Sequence, residues 1–355
     1  MQKINYKKHI AIFLSLAAAF LLGCAALVVL VDPFFQYHKP LDGISYTIDN
    51  QLSQNPGLAK KFDYDSIILG SSMTVNFDTN LFREIMGLNT LKLSYNGAYP
   101  KDIHNIMTVV QNSHDPLKEV FLGIDISTYK AAPGIVAYGI PEYLYDDSPW
   151  NDAAYLLNKD VLLNYILKGF FTKQGSTPIN EIYSTWKDIP TGRQRVLAAY
   201  SIPERFLEPL PEDTYISNIE ESMSTYIIPY IESMPETRFT VFFPPYSILY
   251  WYTRSAEGSL EAEIAGEKRI MEMLLSHPNV SVYYFQNLYD FITDLDQYSD
   301  YTHYTHEMND YMTRCFADGT CQLTVENYEQ VLNEMLSRLQ ECDFVSYLSP
   351  GDSDG

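Results

Sequence analysis

The chain has 355 residues, 46% of them hydrophobic and 14% aromatic, with 24 basic against 45 acidic side chains. A chain of this length buries one large core or two modest ones. Its formal charge of −21 repels phosphate backbones and anionic headgroups, which argues against nucleic acid or an acidic lipid surface as partner.

From the N-terminus, Lys3, Lys7 and Lys8 precede residues 10–31, which carry no charge; the first acid after them is Asp32. About 20 apolar residues at helical rise span the hydrocarbon of a bilayer. Lysines on the N-terminal side leave that end cytoplasmic and the chain after Asp32 outside. Residues 1–32 therefore read as a cytoplasmic tip and a transmembrane signal anchor. A cleaved signal peptide would be shorter and would end on a small-residue site. Leu21-Leu22-Gly23-Cys24 is similar to a lipoprotein cleavage box with Cys24 as the lipidated residue, but the apolar run continues through Val31. Without the three lysines, 21 basic residues stand against 45 acidic ones, a formal −24.

Residues 33–60, with Pro33, Pro40 and Pro56, read as an irregular stalk. A βα alternation follows over residues 61–345. Short apolar runs at 66–69, 90–95, 119–125, 239–243 and 280–285 predict five strands, the fourth stopped by Pro244-Pro245. Helical stretches fall at 79–86, 101–112, 218–232, 260–275, 305–316 and 324–339. Continuous apolar strands separated by helices argue for a mostly parallel sheet covered on both faces, an α/β three-layer sandwich. Residues 130–215, rich in Tyr, Trp and Pro, are too long for a crossover and read as an inserted aromatic-rich subdomain. Residues 346–355 are a polar tail. Cys315 and Cys321 bracket a short loop and have a spacing a disulfide can close in an oxidising exterior. No CxxC pair or cysteine–histidine ladder marks a zinc site; His303, His306 and Asp300 have a spacing that could bind a metal, but no third strong ligand is evident, so neither a metal nor a cofactor is expected.

Ligands of open α/β sheets sit beyond the carboxyl ends of the strands. Gly70-Ser71-Ser72 follows the first strand, Asn96-Gly97 the second, Asp125 the third, and Asp300-Tyr301-Thr302-His303 the fifth. A serine hydroxyl becomes nucleophilic when an imidazole takes its proton and a carboxylate fixes that imidazole's tautomer. Ser72, His303 and Asp300 are the residues for those roles. The competing local reading makes Gly-Ser-Ser a turn with a capping serine. Asp125, Tyr246 and Trp251 are candidate substrate-lining residues; for the two aromatics, after the fourth strand, core packing is the alternative.

This block order resembles the SGNH, or GDSL-like, hydrolase superfamily, a flavodoxin-like fold. Residues 67–74 (IILGSSMT) match its first block, with Ser71 where the family has Asp and Ser72 at the nucleophile. Ser94-Tyr95-Asn96-Gly97 matches the second, and Asp300 with His303 the last. In the third block, Gly123-Ile124-Asp125-Ile126 puts Asp125 where the family has Asn. The resemblance implies an oxyanion hole from the backbone amides of Ser72 and Gly97. An ionised Asp125 offers only acceptors, so either it is turned away and structural or another group, such as Asn96, supplies the missing donor. The anchor, Gly-Ser-Ser and late Asp-x-x-His are similar to the membrane-anchored DltD- and AlgJ-like group. That implies ester hydrolysis or O-acyl transfer on a cell-envelope glycan, beside a membrane-bound O-acyltransferase. The rival expectation, favoured by Asp125, is a catalytically silent scaffold of the same fold that binds a glycan or such a partner.

Overall fold

The computed structural model describes residues 6–113, 116–171, 176–184, 187–204 and 206–349. Lys3 and the end of the polar tail, residues 350–355, lie outside them. The chain divides into two compact units, Met1–Phe62 with Ile140–Pro178, and Asp63–Gly139 with Ile179–Gly355.

In the first unit, helix Tyr6–Val31 is long and apolar enough to cross a membrane. Its 26 residues extend about 39 Å at helical rise. The helix ends where Asp32 turns the chain at φ +46. The Asp32 carboxylate accepts from the backbone N–H of Gln36, Tyr37 and His38 and from the Tyr155 hydroxyl. Within the stretch read as an irregular stalk, residues Gln51–Lys61 form a helix capped by Asn50. Buried Gln54 joins four backbone groups: Oε1 accepts from Asp49 and Asn50, and Nε2 donates to the carbonyls of Pro33 and Thr47. A Cβ on Gly57 would fall 1.9 Å from the Phe34 carbonyl oxygen, so only glycine fits there. Residues 140–178 return to this unit, with Thr177 N–H bonded to the Tyr46 carbonyl. The segment read as one insertion over 130–215 is thus split between the two units.

The second unit is a mixed α/β unit around a six-stranded sheet. The strands are β1 Ser66–Leu69, β2 Thr90–Lys92, β3 Glu119–Gly123, β4 Arg238–Phe243, β5 Val280–Tyr284 and β6 Gln322–Leu323, in the order β2-β1-β3-β4-β5-β6. The first five pair in parallel, while β6 runs antiparallel to β5. β1, β2 and β3 are buried along their whole length, which is why β1 and β3 read as mainly apolar runs. The sheet has one strand more than the five expected: β6 is only two residues long and carries no apolar pattern.

Parallel neighbours need crossovers. Helix Thr79–Met86, capped by Asp78 and ended by left-handed Gly87, links β1 to β2. Pro100–Ser113 links β2 to β3, and Ile248–Ala256 with Leu260–Leu275 links β4 to β5. Helix His306–Asp318 follows the last loop. Its Phe316 packs against Phe121 and Phe242 with ring centroids 5.5 and 5.2 Å apart. Phe77 meets Phe242 edge-on at 5.6 Å. Such pairs add about 0.5–1.5 kcal/mol each beyond area burial. They hold the helix after His303 against β3, which precedes Asp125, and against β4, on which Phe77 beyond the Ser72 turn also packs.

Helix Leu260–Leu275 buries two acids one turn apart, and they behave differently. Glu263 meets Lys130 and Arg254. Glu267 has no cation beside it among the described residues and accepts from the Tyr284 hydroxyl; burial pushes its carboxyl up to about 8 from an ordinary 4.5. Folded Glu267 therefore keeps its proton at neutral pH. Between roughly pH 4.5 and 8 the unfolded chain releases that proton, so stability falls as pH rises. The expected result is that Glu267→Gln gains on the wild type as pH rises from 5 to 8, by on the order of 3–5 kcal/mol. Paired denaturant titrations at the two pH values check this. A difference independent of pH would mean that Glu267 is ionised in the fold.

Candidate active site

β1 ends at Gly70, whose φ of +142 lies outside the range of L side chains. A Cβ there would meet Thr74 Cγ2 at 2.6 Å and the Gly123 carbonyl at 3.2 Å. The chain then turns through Ser71, which caps the short 3-10 turn Ser72–Thr74. Thr74 Oγ1 lies 2.8 Å from the Ser71 carbonyl and 2.6 Å from Ser94 Oγ. The Tyr95 N–H donates to the Gly70 carbonyl at 3.0 Å. These contacts tie Ser94-Tyr95-Asn96-Gly97 to the turn that carries Ser72. Gly97 takes a left-handed φ of +67 and is exposed, and Asn96 is half-buried.

Ser72 Oγ lies 2.8 Å from His303 Nε2, and His303 Nδ1 lies 2.7 Å from Asp300 Oδ2. The other carboxylate oxygen of Asp300 accepts from the backbone N–H of Thr302 and of His303, both at 2.8 Å, and from Thr302 Oγ1 at 3.0 Å. Burial raises the Asp300 carboxyl; hydrogen bonds from His303, its charge and the two backbone donors outweigh that and hold it well below the ordinary carboxylate range. An ionised carboxylate only accepts, so Nδ1 carries the proton and Nε2 presents its lone pair to the serine hydroxyl. The imidazole is 20% exposed and the carboxylate 32%, so water and a substrate both reach the site.

The structure thus brings Ser72, His303 and Asp300 into one hydrogen-bonded chain, across 231 residues of sequence. Asp125 plays a different part. It caps the turn Ile126–Tyr129, with Oδ1 accepting from Ser127 N at 3.2 Å and Ser127 Oγ at 2.6 Å. Tyr246 and Trp251 do not line an open surface: they are 2% and 0% exposed. Trp251 lies inside helix Ile248–Ala256, and Tyr246 stacks on Tyr250 at 4.3 Å. Packing explains both, and their substrate-lining reading is withdrawn.

Several supporting residues carry no signal in the sequence. The hydroxyl of Tyr304, next to His303, donates to the Met73 carbonyl at 2.8 Å. Asn309 Nδ2 reaches the same carbonyl at 3.4 Å. Buried Lys92 donates to the Val75 carbonyl and to Ser184 Oγ, both at 2.8 Å, and burial lowers its amine to about 7. The loop of His303 is braced from behind, where the Gly192 N–H meets the Tyr298 carbonyl and Arg195 Nε the Ser299 carbonyl. The His303 loop and the Ser72 turn are therefore bonded to each other independently of the His303–Ser72 contact.

The sequence matches no protein-family model and no curated protein.

Proposed function

We propose that this chain is a membrane-anchored serine esterase or O-acyltransferase of SGNH type, acting outside the cell membrane on an acylated envelope glycan. The observation that carries this reading is the relay Ser72–His303–Asp300, with hydrogen bonds of 2.8 and 2.7 Å. The parallel order of β2-β1-β3-β4-β5 and the arrival of Ser72, Asn96-Gly97 and Asp125 after β1, β2 and β3 support the SGNH, flavodoxin-like three-layer assignment. The apolar helix Tyr6–Val31, with Lys7 and Lys8 at its start, supports a single-pass anchor with the N-terminus cytoplasmic. Kinship with the DltD- and AlgJ-like group, and a membrane-bound O-acyltransferase as partner, belong to the same proposal.

In the proposed reaction His303 Nε2 takes the Ser72 proton as Oγ attacks an ester or thioester carbonyl carbon. The oxyanion is held by the backbone N–H groups of Ser72 and Gly97, with Asn96 beside them. Asp300 stabilises the imidazolium, and His303 returns the proton to the leaving oxygen or sulfur. Water or a sugar hydroxyl then gives its proton to His303 and attacks the acyl-serine, releasing acid or a new ester. Asp125, engaged with Ser127, is a capping residue in this scheme.

A second reading is a catalytically silent scaffold that binds a glycan or an acyltransferase. It is favoured by one feature: the third strand ends in an acceptor, Asp125, where the SGNH pattern has an amide donor. Turnover of a short-chain aryl ester by the full-length protein in detergent, with and without an added oligosaccharide, separates the two. Release of the aryl alcohol above the level of a Ser72→Ala variant supports the enzyme. Transfer of the acyl group to sugar identifies the transferase. Oligosaccharide binding with no release above that variant supports the scaffold.

A further inference from the structure

We infer that Cys315 and Cys321 are joined by a disulfide when the protein stands in an oxidising compartment, stapling the helix that follows His303 to the edge strand of the sheet. Both are thiols in this structure. Cys315 lies buried in the last turns of helix His306–Asp318. Gly319, at φ +81, ends that helix with its N–H on the Cys315 carbonyl at 2.8 Å, and Gln322 N–H closes the turn onto Gly319 at 3.2 Å. The chain thus comes straight back, and Cys321 stands immediately before β6, with its carbonyl accepting from Tyr284 N–H at 3.1 Å.

Two independent features single out this pair. The thiols perturb each other's ionisation, Cys321 downward and Cys315 upward, as the turn at Gly319 brings the two cysteines back beside each other. Cys321 also holds φ +66, one of four positive-φ residues other than glycine among the described residues. A left-handed backbone is uncommon for a side chain with a Cβ, and it persists only where surrounding structure demands it. Here the demand is to aim Sγ back at Cys315. The Tyr311 hydroxyl, one helical turn before Cys315, lies 3.9 Å from Cys321 Sγ.

Accessibility orders the chemistry. Cys321 is half-buried and its thiol is lowered to about 7 by the hydrogen bond from Cys315, whose own thiol is raised. Cys321 thiolate is therefore the sulfur that meets an external disulfide, either glutathione disulfide or a thiol–disulfide oxidoreductase. It attacks one sulfur of that disulfide and expels the other as a thiolate. Cys315 then loses its proton and attacks Cys321 in the mixed disulfide, releasing the second thiol. Two cysteine sulfurs have given up two electrons, and one external disulfide has become two thiols.

The test uses full-length protein in detergent, equilibrated in glutathione buffers from fully reduced to fully oxidised. It is then quenched in acid, unfolded and alkylated. The chain has four cysteines; oxidised wild type is expected to leave two alkylatable, with one peptide joining 315 to 321. The bridged form should melt roughly 5 °C above the reduced form. Cys315→Ser and Cys321→Ser should each leave three thiols and a melting temperature indifferent to reductant. Four free thiols at the oxidised end, a stable glutathione adduct on Cys321, or a bridge to Cys24 or Cys342 would overturn the inference. None of these outcomes bears on the chemistry of Ser72, so the two readings fail separately.

Discussion

Ser72→Ala is expected to lower aryl-ester turnover by at least ~10³-fold while leaving the melting temperature near that of wild type. His303→Ala should cost about as much, and the double variant no more than either single one. The reason lies in the geometry. Ser72 Oγ has one base within reach, Nε2 at 2.8 Å, so without either partner the hydroxyl stays an ordinary alcohol. Asp300→Asn should cost roughly 10²–10⁴-fold, and no more than Ser72→Ala. An amide in that place still offers its oxygen to the N–H groups of Thr302 and His303, but it no longer stabilises an imidazolium. Additive losses, with the double variant losing the product of both effects, would mean that Ser72 and His303 work separately.

The second large effect concerns stability. Glu263 is wholly buried and bound from four sides, by Lys130 Nζ, Arg254 Nη1, the Tyr250 hydroxyl and Ser259 Oγ. Lys130 and Arg254 are themselves only 17% and 14% exposed. Glu263→Ala is expected to destabilise the protein by about 3–5 kcal/mol, because it strands a partly buried ammonium rather than because the ion pair is strong in itself. Arg254 keeps a second carboxylate, Glu257, at 3.1 Å; Lys130 has no such reserve among the described residues. The double variant Lys130→Met with Glu263→Met should therefore recover much of the loss. Denaturant melts of Glu263→Ala, Lys130→Met, Glu263→Met and the double methionine variant decide it, and strict additivity of the two methionine substitutions would refute the stranded-charge explanation.

How far these features could be read in advance depends on how local they are. β1, β3 and β4 announce themselves because strands buried on both faces need apolar residues at every position. β6 does not, since its two residues pair only because Gly319 and Cys321 turn the chain back. Helix Ile248–Ala256 was hidden by Pro244-Pro245 and by its aromatics, and so the sequence left Trp251 open between substrate lining and core packing. The division into two units depends on contacts such as Thr177 with Tyr46, more than a hundred residues apart, which no local pattern encodes. At the site, Asp300 and His303 were legible because an Asp-x-x-His spacing lets one carboxylate take the N–H of Thr302, the N–H of His303 and the imidazole together. Tyr304 was not, since its role exists only through a carbonyl on the far side of the sequence, at Met73. Asp125 shows the limit from the other side: its departure from the SGNH pattern was visible, but its partner Ser127 became meaningful only with the turn built.

The most direct measurement is fluorophosphonate labelling of the full-length protein in detergent, followed by peptide mapping of the adduct. The account predicts a single adduct on Ser72, formed in wild type and lost in His303→Ala although Ser72 is still present. Folded wild type that stays unlabelled, or labelling of Ser72 that proceeds equally well without His303, would contradict it.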